Sequence, residues 1–143
     1  RYAGYVNALL RSGLSVDDRK ILWIDTEDQK ALRNIRDSVL RRMTDCTAVF
    51  CYNDEVAFGL VELLHKEGFR VPGQLSIVSI DGSELSLLSE PNITSIPYPM
   101  EELGRKTAEN MLRLIDEPDF DGTCLYRPAI QVRDSVRKIG GTG

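Results

Sequence analysis

What this sequence lacks removes several function classes at once. No apolar run approaches the roughly 18 residues that crossing a bilayer requires. The one histidine, His65, sits beside Lys66 and Glu67 and reads as a solvated residue near a helix end, not a catalytic one. The three cysteines, Cys46, Cys51 and Cys124, are far apart, form no CxxC pair and are odd in number. That excludes a cysteine metal cluster and a closed disulfide framework, and leaves small buried hydrophobes as their reading. No GxSxG is present, so nucleophilic hydrolysis has no frame, and the chain is expected to be no enzyme and to need no cofactor or metal. An excess of positive charge is also missing. At a net charge of -4 this stretch does not hold a phosphate backbone, which calls for clustered Lys and Arg; any nucleic acid must be touched by another part of the protein. The opening "RYAGYVNALLRSG" has polar residues throughout and no apolar core of a signal peptide, so the expected location is the cytoplasm, with no membrane partner.

What is present is periodicity, over a length of 143 residues that suits one domain or one lobe of something larger. Tyr2, Tyr5, Val6, Leu9 and Leu10 fall on one helical stripe that Gly13 closes. The apolar "KILWID" (20–25) predicts a strand. Thr26 and Gln29, spaced as a capping box, then introduce a helix carrying Ala31, Leu32, Ile35, Val39 and Leu40. The pattern repeats with "TAVFCY" (47–52) and a helix on Val56, Leu60, Leu63 and Leu64 that ends at Gly68. "LSIVSID" is a further strand, "GSELSLLSEPN" a loop or broken turn, and "ITSI" a short strand. "MEELGRKTAENMLRLI" predicts a helix with Pro99 near its first turn, and "YRPAIQVRDS" a last strand at an edge, where Pro128 is tolerated. The glycine-rich tail follows no strand and reads as a disordered end. Apolar strands alternating with amphipathic helices mean an α/β fold, a parallel Rossmann-like sheet flanked by helices.

In such sheets ligands bind beyond the carboxyl ends of the strands. Three strands end there in an acid or amide: Asp25, the pair Asn53 and Asp54, and Asp81. Helix capping is the plain explanation for Asp25 and for one of the pair. Asp81 has no clear helix after it to cap. Carboxylates and an amide at the mouth of an apolar cleft suit a polyhydroxylated ligand, whose hydroxyls both donate and accept. They also suit Mg²⁺ in a receiver or phosphoryl-transfer domain, although that chemistry wants adjacent acids on one strand end and a lysine at another.

Three stretches, "RYAGYVNALLRSGL", "TAVFCYNDEVAFGLVELLHKEGFRVPGQLSIVSIDGSEL" and "PNITSIPYPMEELGRKTAENML", together resemble the effector-binding domain of LacI/GalR-type repressors, which has the type I periplasmic-binding-protein-like fold. "AVFCYNDEVAFGL" and "PAIQVRDSVRKI" look most like the arabinose repressors, which join a GntR-type DNA-binding head to this domain. The resemblance implies a sugar effector bound by Arg1, Asn53 and Asp81, with Tyr98 on a crossover and Glu27 as further candidates. Asp54 is then left as the helix cap. It implies a homodimer through Phe58, Leu85, Leu87 and Leu88, and operator DNA held by a separate domain. It also implies that residues 1–95 and about 124–135 are the C-terminal lobe and that the chain begins near the start of that lobe. The helix in 98–118 then packs on an N-terminal lobe outside this sequence; here it is expected to fold back on its own lobe or pack on another copy. Residues 139–143 are a tail. A transporter's sugar-binding protein is the alternative within the fold.

Overall fold

Three short parallel strands form the sheet around which the helices are arranged, in the order β1 (Ala48–Phe50), β2 (Ser76–Asp81), β3 (Thr94–Pro97). The computed structural model describes residues 1–28 and 31–138. Register pairs Ala48 with Ser76, Val78 with Thr94 and Asp81 with Pro97, so all three strands end on one edge. The helices are α1 (Tyr2–Arg11), α2 (Ala31–Asn34), α3 (Arg36–Met43), α4 (Asp54–Lys66), α5 (Leu85–Leu88) and α6 (Met100–Asp116).

Helix α4 organises the core. Ala57, Leu60, Val61 and Leu64 lie on its buried face at helical spacing and pack with Val39 of α3, Ile77 of β2 and Leu75 and Ile93 at the strand starts. Gly68, at φ 77°, supplies the left-handed residue that turns the chain out of this helix. Leu22, Leu32, Ile35 and Phe58 pack around that centre, half-buried.

Several expected elements form differently. Residues 21–25 do not join the sheet as a strand; the Arg42 guanidinium donates to the carbonyls of Arg19 and Ile21, which a neighbouring strand would otherwise use. Leu22 still turns inward while Trp23 faces out, so the apolar alternation survives without the ladder. The helix expected after it is broken at Ile35 into α2 and α3. Its capping box involves Gln29, outside the described residues, as is the 139–143 tail. The segment after β2 contains the one-turn helix α5 rather than loop alone.

The expected last strand is reduced to one antiparallel bridge, Ser95 with Gln131. Its pairing is replaced by side chains: the Arg133 amide donates to Thr94 Oγ1 (2.9 Å) and its guanidinium to Ser86 Oγ (3.1 Å). Ser135 then crosses the strand starts. Its carbonyl accepts from Ile77 N (2.8 Å), while its hydroxyl donates to Ile77 O (2.6 Å) and accepts from Thr94 N (2.8 Å).

Helix α6 forms as expected but neither folds back nor hides. Met100, Met111, Leu112 and Ile115 are all more than three-fifths exposed, and Asn110, which donates to Gly122 O (2.7 Å), is its one buried residue. The return of this helix onto its own lobe is therefore not realised. Among the described residues these four apolar side chains stay largely exposed.

Candidate functional site

The carboxyl ends of the strands converge on Arg1. Its guanidinium donates to the backbone carbonyl of Tyr52, to Asp81 Oδ1 (2.6 Å) and, at the edge of hydrogen-bond range, to Tyr98 Oη (3.4 Å). The same group lies 4.3 Å from the centroid of the Tyr52 ring and 5.7 Å from that of Tyr98, a cation–π arrangement with two walls. Partial burial works to lower the Arg1 pKa, but the Tyr98 hydroxyl and the Asp81 charge outweigh it, and the group stays firmly cationic. Arg1, Asp81 and Tyr98 are thus brought together, although they lie on α1's N-terminal boundary, the last residue of β2 and the residue after β3.

Asp81 is held in an uncommon backbone conformation, φ 118°, and it is the one non-glycine residue with positive φ among the described residues. The next residue explains how the turn is possible. Gly82 has φ 66°, and a Cβ there would lie 2.4 Å from Pro97 Cβ, so the chain passes too close to β3 for any side chain. The Gly82 amide donates to Ser95 Oγ (3.1 Å), and the Tyr98 amide to Asp81 O (3.3 Å).

At the opening of α4 the expected cap is not the one that forms. Asn53, not Asp54, is the cap: its backbone is extended and its Oδ1 accepts from Val56 N (2.9 Å). Asn53 is half-exposed, and no hydrogen bond among the described residues joins it to Arg1, Asp81 or Tyr98. Asp54 is 1 % exposed and turns inward. Its Oδ1 accepts from the hydroxyls of Ser79 and Ser95 (2.6 Å from Ser95), and its Oδ2 accepts from Ser83 N (2.6 Å). Burial works to raise its pKa, but the donors from Ser79, Ser95 and Ser83 prevail and hold the carboxyl below the usual carboxylate range. The stability this adds is complete above the unfolded carboxylate's pKa and is lost as pH falls through the lower folded value.

Next to it, Cys51 is buried, and burial together with the Asp54 charge pushes its thiol up to about 12. A thiol reagent applied to the folded chain near pH 8 is expected to label exposed Cys124 first and Cys51 only on unfolding, which mass spectrometry of the labelled peptides checks. Rapid labelling of Cys51 in the native state would contradict this packing.

The remaining candidates lie apart. Glu27 is exposed in a turn in which its amide donates to Asp25 Oδ1 (3.0 Å); no hydrogen bond or ion pair among the described residues joins it to Arg1, Asp81 or Tyr98. Phe58 is half-buried against the core instead of standing free on the surface. Leu85 is half-buried, and Leu87 and Leu88 are exposed on α5, which packs on α4. Sequence reasoning missed Tyr52, Ser79 and Ser95. Each carried a signal: an aromatic at a strand end beside Asn53, and a serine next to isoleucine inside "IVSID" and "ITSIP".

What this arrangement can do is hydrogen-bond and stack. The positive and negative groups are matched, and both aromatic rings beside Arg1 remain partly exposed.

Comparison with known proteins agrees with this geometry. The periplasmic binding protein-like domain matches residues 1–136. The arabinose metabolism transcriptional repressor of Geobacillus stearothermophilus is 32% identical over 97% of this chain and 40% of its own length. The HTH-type transcriptional regulator GalR of Escherichia coli K12 is 32% identical over 95% of this chain and 40% of its own. The solved structure of the transcriptional regulator CelR–cellobiose complex superposes with a TM-score of 0.79 at 28% identity, covering 92% of this chain and 40% of that one. This chain therefore spans about 40% of the length of these relatives. With three parallel strands ending at a shared polar edge and a match over nearly every residue, the chain belongs to the periplasmic binding protein-like family, and its relatives include LacI/GalR-type repressors.

Proposed function

We propose that this chain is the C-terminal lobe of the effector-binding domain of a transcriptional repressor of carbohydrate metabolism, and that it binds without catalysing a reaction. The observation that carries this reading is the Arg1–Asp81 pair set between Tyr52 and Tyr98 at the strand ends. Because Asp81 already neutralises Arg1, an anionic ligand gains little net attraction, whereas a neutral polyol can insert hydroxyls into both sides of the pair. The aromatic faces suit the C–H surface of a sugar ring. Asp81 is engaged by Arg1 and Asp54 by three donors, which favours a sugar over Mg²⁺. The names of the relatives make L-arabinose the first effector to test and D-galactose the second.

The solvated apolar residues of α6 support a second lobe that covers them and closes on the ligand. Closure then re-aims operator-binding heads carried by a separate domain, so the signal is the effector's differential affinity for the closed state. The whole protein works in the cytoplasm as a homodimer, with Leu87 and Leu88 as exposed contacts and Phe58 and Leu85 beneath them.

Calorimetric titration of the full-length protein with L-arabinose, D-galactose and a phosphate ester of each tests the reading. A neutral sugar is expected to bind more tightly than its phosphate, and Asp81→Ala is expected to abolish induction while operator binding persists. Tighter binding of the phosphate, or an inducible Asp81→Ala protein, would overturn it.

A further inference from the structure

Asp54 is the buried ionisable group that ligand contact does not account for. Helix capping does not account for it either, because Asn53 already supplies the cap. A buried carboxylate is costly unless donors surround it, and among the described residues no cation bonds to Asp54. Its three donors come from different places: Ser79 inside β2, Ser95 inside β3, and the amide of Ser83 in the turn after β2. Ser95 gives its hydroxyl proton to Asp54 and therefore turns a lone pair toward the Gly82 amide, 3.1 Å away. The two amides that follow Asp81 are thus both fixed, one by Asp54 directly and one through Ser95.

That restraint falls on the residue that needs it. A non-glycine backbone at φ 118° persists only where the surroundings over-determine it. We propose that Asp54 is a positioning residue for the effector site: its carboxylate locks the Gly82–Ser83 turn and so aims Asp81 at Arg1. The proposal rests on the reading of Arg1, Asp81 and Tyr98 as the effector site. In that chain of contacts Asp54 never touches ligand. It sets the orientation of the group that does, and through the Tyr98 amide on Asp81 O it also fixes the start of the crossover.

The test uses Asp54→Asn and Ser95→Ala in the full-length protein, alone and in an Asp81→Ala background. Ser95→Ala removes the relay to Gly82 and one of the three donors to Asp54 while leaving the carboxylate and its bond from the Ser83 amide in place, so it decides the matter even where Asp54→Asn fails to fold. Hydrogen exchange of residues 79–86, read by mass spectrometry without any ligand, is expected to quicken by about tenfold while exchange in α4 stays unchanged. Affinity for L-arabinose and D-galactose is expected to fall by about tenfold in each single variant, and no further in the Asp81→Ala background. Losses that add to that of Asp81→Ala, or exchange that rises equally throughout the lobe, would overturn the proposal and leave Asp54 a general stabiliser. If neither sugar binds the unaltered protein, the choice of effector fails instead, and the exchange experiment still decides the role of Asp54.

Discussion

Asp81→Gly is expected to bind the effector roughly 100-fold or more weakly, since a carboxylate bonded to hydroxyls contributes about 1.5–3 kcal/mol per bond and Arg1 is left without its counter-charge. The same variant is expected to be the more stable of two that lose this side chain. Alanine in place of Asp81 keeps the strained φ of 118°, whereas glycine accepts it freely. Asp81→Gly should therefore resist urea better than Asp81→Ala by about 1 kcal/mol or more, the reverse of the usual order in which glycine costs about 0.5–1 kcal/mol within an element. The Arg1–Asp81 pair is lost in both and, being partly exposed, does not alter the ranking. Equal urea midpoints would show that the turn carries no strain. Undiminished sugar binding would remove Asp81 from the site.

Gly82→Ala is expected to be the most disruptive single-methyl change near the strand ends. The added carbon would meet Pro97 Cβ at 2.4 Å and Pro97 Cα at 2.6 Å, and backbone cannot give way as a flexible side chain can. A positive φ of 66° adds its own penalty. Together these predict a loss of about 3 kcal/mol or more in unfolding free energy, visible as a lowered urea midpoint with an unchanged slope. Binding should fail as well, because Asp81 must move with the turn. Gly104, on exposed α6 with open space around its missing Cβ, is the control, where alanine should stabilise by about 1 kcal/mol. A Gly82→Ala protein as stable as the parent would mean that β3 and the turn are not so closely opposed.

The parts of this fold legible in the sequence are those specified locally. Helix α4 is marked by period and cap, β2 by its apolar run, and α6 by Pro99 and its acidic first turn. Where a distant side chain decides the outcome, local reading fails. Residues 21–25 look like a strand, but only the fold reveals that Arg42 takes the carbonyls of Arg19 and Ile21 at their start. The last segment looks like a strand until Arg133 and Ser135 take over its bonding. That Asn53 rather than Asp54 caps α4 has the same origin. Both residues suit a cap, and what separates them is Ser79, Ser95 and Ser83, which lie 25 or more positions away in sequence. Asp81 is legible as an acid at a strand end with no helix to cap, Arg1 and Tyr98 only through resemblance to a family, and Tyr52 not at all, because an aromatic at a strand end looks like core.

Ser135 carries an implication for how the chain is made. Until it arrives, the amide and carbonyl of Ile77 and the amide of Thr94 lack the partner that satisfies them in a dry interior. A nascent chain exposing only residues up to β3 therefore has its three strands in hand and no way to finish them. The sheet is therefore expected to close late in synthesis, when a segment more than 35 residues beyond the last strand emerges from the ribosome and returns to its starting edge.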